Sequence, residues 1–203
     1  LRDIYYIVLD AHASRRTLEK YYNYDISPFT DYLKNKGFFV SDSSLCNYSI
    51  TYLSLASSLN MDYLANEGML RSEVESKSNS LRGANNLISK NKVMNFLKSK
   101  GYQFIHISSG WGPTAKNEYA DYDIRFRGGS EFNMIALQTT ILMPIINYFF
   151  RFHIRDKTLF SFNELKKVHK IKKPKFVFSH IGSPHPPFVF GKNGETVFRT
   201  EIA

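Results

Sequence analysis

The 203-residue chain has one cysteine, Cys46, one tryptophan, Trp111, and no uninterrupted apolar run approaching twenty residues. A lone cysteine excludes a disulfide framework and a thiolate metal centre, and it leaves the redox compartment open. The missing apolar run argues against a spanning helix or a signal peptide within these residues. Zinc-finger spacing, an RNP-like aromatic strand and an arginine-rich arm are also missing, so a nucleic-acid partner is not expected. Repeats and low-complexity tracts are absent as well, which disfavours solenoids and disordered linkers.

What is present is aromatic and basic. Seventeen Phe and thirteen Tyr accompany a hydrophobic content of 43%, enough for one sizeable packed core. Lys and Arg number 27 against 18 Asp and Glu, a formal charge of +9. That balance favours anionic partners such as phosphate or sulfate esters, acidic lipid headgroups or anionic glycans. The densest basic stretch, from Lys166 to Lys175, reads as a solvated helix face and linker.

Ile4-Tyr5-Tyr6-Ile7-Val8-Leu9 is a continuous β-rich run that reads as a central parallel strand buried on both faces. Helices are expected over 14–22 and 29–36, a short strand at Phe38-Phe39-Val40, and a helix from Thr51 to about Leu59. Residues 60–81 read as a polar surface loop, and 85–100 as one amphipathic helix. A strand follows over 102–107, then a loop-rich segment over 110–129. A packed or lipid-adjacent helix is expected over 132–150, and a last core strand over 176–180. This β-α-β rhythm predicts a three-layer α/β/α domain with a mostly parallel sheet.

Within that frame a few residues stand out. Asp10 ends the first strand, where open α/β sheets bind ligands, although it could equally cap the following helix. Five aliphatic hydroxyls crowd into residues 49–58, at the entry to the helix expected from Thr51. A helix start gathers unpaired N–H groups that hold oxyanions, and a hydroxyl there is either a cap or an activated nucleophile. His185 lies among Pro184, Pro186 and Pro187, just past the strand that ends at His180, in a loop stiff enough to aim an imidazole. His106, inside a strand, reads as a satisfied core histidine. Asp121 and Asp123 alternate like metal ligands but suit exposed loop carboxylates better.

The order Asp10, Thr51, His185 resembles the sulfatase-like branch of the alkaline phosphatase superfamily, which includes sulfatases, phosphoethanolamine transferases and lipoteichoic acid synthases. The segments carrying the resemblance are 4–10, 28–38, 47–60 and 184–188. It implies a metal-dependent hydrolase or transferase acting on phosphate or sulfate esters through a covalent Thr51 intermediate. Asp10 and Thr51 would bind a divalent ion (Mn, Mg, Ca or Zn), and His185, with His180 as a second candidate, would contact substrate. Thr51 replaces the Cys or Ser of sulfatases and Leu55 replaces their Arg, which points to phosphotransferase chemistry on a lipid or glycan. The late Asp-His metal pair of the family does not occur here, so residues 1–203 are expected to be the N-terminal part of a single catalytic domain. Membrane anchoring outside the cytoplasm is implied for the full-length protein. Two alternatives remain: a sulfatase or phosphodiesterase of the same fold, and a non-catalytic domain binding anions or glycans.

Overall fold

The computed structural model describes residues 1–41, 43–64, 82–127 and 143–197, with the backbone alone for 82 and 143–152. Four strands, β1 (Ile4–Leu9), β2 (Gln103–Ile107), β3 (Tyr122–Ile124) and β4 (Lys175–Ile181), form one sheet in the order β1-β4-β2-β3. Every pairing is parallel. Parallel neighbours need crossovers, and the helices among the described residues contribute to them: α1 (Arg15–Tyr22), α2 (Ser27–Asn35), α3 (Thr51–Asn60), α4 (Arg82–Ser89), α5 (Lys92–Ser99) and α6 (Met143–Lys167).

Side-chain alternation along the strands sorts the core into two layers. Phe104, Phe176 and Phe178 join Leu55, Leu59, Ile88 and Met94 beneath α3, α4 and α5, with Tyr6 and Val8 packed against them. On the opposite face Ile105, Ile107 and Val177 pack with Leu165 of α6 and with Val168. The chain is therefore a three-layer α/β/α fold around an all-parallel sheet. Burying three phenylalanine rings contributes roughly 2 kcal/mol each or more by area removed from water.

Several elements differ from the sequence expectation. Among the described residues β1 is an edge strand, with Tyr5 40% and Ile7 45% exposed; β4 is the strand buried along its whole length. An apolar run cannot tell a strand flanked on both sides from one flanked on one. Phe38-Phe39-Val40 pairs with nothing and forms no strand, and Phe39 is 93% exposed. The single helix expected over 85–100 is broken into α4 and α5 at Asn91. Its side chain accepts from Met94 N at 2.7 Å and donates to Ile88 O at 2.9 Å, ending one helix while capping the next. β3 lies inside the stretch read as loop. Lys175, grouped with the solvated basic run, is buried, and its ammonium bonds Asp3 Oδ2 at 2.5 Å. Most of the 60–81 loop and the 132–142 part of the apolar helix lie outside the described residues. Pro144 is the second residue of α6.

Candidate active site

Asp10 leaves the carboxyl end of β1, and its N–H bonds Ile181 O of β4 at 2.9 Å. Ala11 follows with φ 60°, a left-handed conformation unusual for a residue with a Cβ, so the chain turns sharply at the sheet edge. Thr51 is the first residue of α3. The N-cap is Ile50, whose side chain has no acceptor, so Ser49 is not the cap. The Thr51 hydroxyl instead donates to Asp10 Oδ1 at 3.1 Å. An α-helix leaves its first N–H groups without intrahelical partners, and here the N-cap residue supplies no side-chain cap.

Other hydroxyls of the crowded stretch are structurally committed. Ser57 is buried, accepts from Asn47 Nδ2 at 2.8 Å and donates to Asp62 O at 2.5 Å. Asn60, at the end of α3, donates to Leu87 O and accepts from Lys92 N, both at 3.0 Å, tying α3 to α4 and α5. These bonds anchor α3, and with it the position of Thr51.

His180 is wholly buried on β4, in register with Val8 and two positions before Gly182. Its Nδ1 lies 3.0 Å from Thr114 Oγ1, and its Nε2 lies 3.7 Å from Asp10 Oδ2 with no hydrogen-bond partner. Thr114 Oγ1 has Trp111 O at 3.3 Å as an acceptor for its own proton. Thr114 Oγ1 also pairs with Ser109 Oγ at 2.6 Å, so the Nδ1 contact suits either ring tautomer. The Nε2 atom is left beside the carboxylate as a buried ring nitrogen without a hydrogen bond.

Burial pushes the Asp10 carboxyl up. The proximity of His180, the Thr51 hydroxyl and the charge of His185 together outweigh it, so the carboxyl lies below its usual range. His185 is exposed, and its Nδ1 donates to Pro186 O at 2.7 Å, which fixes the ring tautomer and leaves Nε2 as the atom for other contacts.

Asp10, Thr51, His180 and His185 all line one open cavity of about 280 Å³. The four residues expected from the sequence are thus brought together across 175 positions of the chain. His106, by contrast, lies away from the cavity: it is buried on β2 and bonded through Nδ1 to Asp123 Oδ1 at 2.7 Å. Asp123 also pairs with Arg125 at 3.2 Å, and Asp121 pairs with Lys98 at 2.9 Å and accepts from Phe104 N. Both aspartates serve the fold.

Two parts of the cavity went unread in the sequence. One is the turn after β2: Ser109 Oγ accepts from Trp111 N at 3.0 Å and pairs with Thr114 Oγ1 at 2.6 Å, presenting Trp111 edge-on to His180 at 5.4 Å. Its position past the carboxyl end of a strand was the available signal, the same one that singled out Asp10. The other is Lys157 of α6, for which the sequence offers no signal, since a cavity lysine and a solvated one look alike.

A divalent ion can be tested against these donors. No group of three or more His, Cys, Asp or Glu forms a ready cation cage among the described residues. Thr51 Oγ1 contacts one oxygen of the Asp10 carboxylate and the unpartnered Nε2 of His180 lies 3.7 Å from the other, and such a mixed oxygen and nitrogen set is of a kind that suits a divalent metal. The residues present fit the ion. Comparison with protein-family models, curated proteins and solved structures gave no match to this chain.

Proposed function

We propose that the protein is a sulfatase-like member of the alkaline phosphatase superfamily that transfers or hydrolyses phosphate esters through a covalent bond to Thr51. The observation that carries this is the Thr51 hydroxyl held 3.1 Å from Asp10 at an uncapped helix start, facing an open cavity. A structural cap would bond its own helix; this hydroxyl bonds a carboxylate 41 residues away instead.

The chemistry follows from the groups present. Asp10, held ionised, is a weak proton acceptor but a good ligand. Asp10, Thr51 and His180 would hold a divalent ion, which when bound supplies the Lewis acidity that lets a threonine hydroxyl ionise near neutral pH. Thr51 Oγ1 gives up its proton to solvent and forms a bond to phosphorus, while the ester oxygen opposite departs with its electron pair and takes a proton from solvent. The α3 amides and His185 stabilise charge on the remaining phosphoryl oxygens, and losing one such donor typically costs about 100-fold or more. Water or an acceptor hydroxyl, from a lipid or a glycan, attacks the phosphothreonine and regenerates the free side chain. In this reading His180 acts on Asp10 and the ion, and His185, at the exposed rim, is the substrate contact.

The test is Thr51→Ala in the full-length protein, assayed on an aryl phosphate diester and an aryl sulfate with folding followed by circular dichroism. Turnover of the phosphate diester should fall about 1,000-fold or more with the melting curve intact. Undiminished turnover would sink the assignment. Chelation of the wild type should abolish activity and a divalent salt should restore it; activity that survives chelation removes the ion from the mechanism. Preference for the aryl sulfate would favour a sulfatase, and ligand binding without turnover a non-catalytic anion-binding domain.

A further inference from the structure

Any phosphoryl group reaching Thr51 brings negative charge to within a hydrogen bond or two of the Asp10 carboxylate. A divalent ion at Asp10 would offset that carboxylate, and the outer phosphoryl oxygens call for a charged donor of their own. An imidazole such as that of His185 is not a permanent cation.

Part of the cavity wall is built by one face of α6, where Ile154, Lys157, Thr158 and Ser161 recur at helical spacing. Thr158 and Ser161 are buried and donate back to their own helix, to Ile154 O at 3.0 Å and Lys157 O at 3.1 Å. Lys157 is the one lysine or arginine among the described residues that line the cavity. Its stem lies across Gly110 in the turn after β2. A Cβ on Gly110 would stand 2.5 Å from Lys157 Nζ and 2.8 Å from Cε, closer than real atoms approach. Gly110 also adopts φ +72°, so the backbone favours glycine there, and an added Cβ would displace the end of the lysine from its seat.

We infer that Lys157, seated in the notch left by Gly110, is the cavity's phosphoryl-oxygen binding residue and confers its preference for anionic phosphate esters. The inference rests on the phosphotransfer reading for its substrate class, but the placement of the ammonium is independent of whether Thr51 reacts. A permanently charged, single-point donor suits a phosphoryl oxygen, and the pairing is charge-assisted.

The experiment titrates the full-length protein with inorganic phosphate by isothermal calorimetry at low salt, alongside steady-state kinetics on an aryl phosphate diester. Lys157→Met should weaken phosphate binding about 10-fold or more and raise KM more than it lowers kcat. Lys157→Arg, which keeps the charge, should stay within about 3-fold of wild type. Gly110→Ala, which leaves the charge in place but fills the notch, should weaken binding as Lys157→Met does. Wild-type phosphate affinity in a folded Lys157→Met variant overturns the inference even if the enzyme turns over diesters. Loss of binding in Lys157→Met and Gly110→Ala, with retention in Lys157→Arg, upholds it even if no diester is turned over.

Discussion

His106 and His180 sit on neighbouring strands of the same sheet, both almost completely buried, and both use Nδ1 for a side-chain hydrogen bond. Their surroundings differ in one respect. His106 Nδ1 meets the carboxylate of Asp123 in the interior, which is itself bonded to Arg125, so the chain His106–Asp123–Arg125 runs out to solvent and closes on itself. His180 bonds a neutral hydroxyl, and its Nε2 reaches towards Asp10 without a hydrogen bond. A buried polar atom without a partner costs about 1–3 kcal/mol, and natural cores tolerate few of them. The contrast teaches that a candidate site histidine is singled out by what is left unsatisfied, since residue type and depth are the same in both.

That contrast can be broken by substitution. The largest effect is expected from His180→Gln, which removes the imidazole nitrogen beside Asp10 at similar volume. Turnover of a phosphate diester should fall about 100-fold or more while the protein still folds. A variant with wild-type kinetics would make His180 a second structural histidine. Next comes His106→Gln, which should cost about 2 kcal/mol of stability in denaturant titration and leave kcat within about 3-fold. A large loss of kcat without destabilisation would reverse the two assignments.

The smallest effect concerns Asp10. Its folded carboxyl lies below the ordinary value, so its ionised form stabilises the fold above the unfolded carboxyl range. That contribution is lost as pH falls through the lowered folded value. Asp10→Asn should therefore be less stable than wild type at neutral pH, with the two melting curves converging in acid below about pH 4. Curves that stay separated to the lowest accessible pH would mean that the carboxylate charge is not what binds Asp10 to its neighbours. Equal stability at neutral pH would mean the same.

Much of the site was legible in sequence because its residues sit at chain-direction landmarks. Asp10 ends a strand, Thr51 begins a helix and His185 sits in a proline-bounded loop, and each landmark is visible one residue at a time. His180 was legible as a histidine near that loop. Its role was not, because which ring atom lacks a partner depends on Thr114 and Asp10, residues 66 and 170 positions away. Lys157 was hidden for a similar reason: a helix periodicity reveals a face but not what the face looks at. In the fold, β1, β2 and β4 announce themselves through apolar runs. The three-residue β3 is too short to carry a pattern, and the break at Asn91 interrupts apolar spacing that would otherwise fit one helix.

The pairing of β1 with β4 sets Val8 beside His180 in register, and so it joins positions 172 residues apart. Closing a loop of that length costs on the order of 4–5 kcal/mol in chain entropy by logarithmic scaling, and no local contact offsets this until the two strands dock. A half-folded chain could hold α3 with its hydroxyl in place and still have no carboxylate–imidazole pair. Anion binding at this cavity would therefore report completed topology, and a chain with β1 and β4 still apart would be silent.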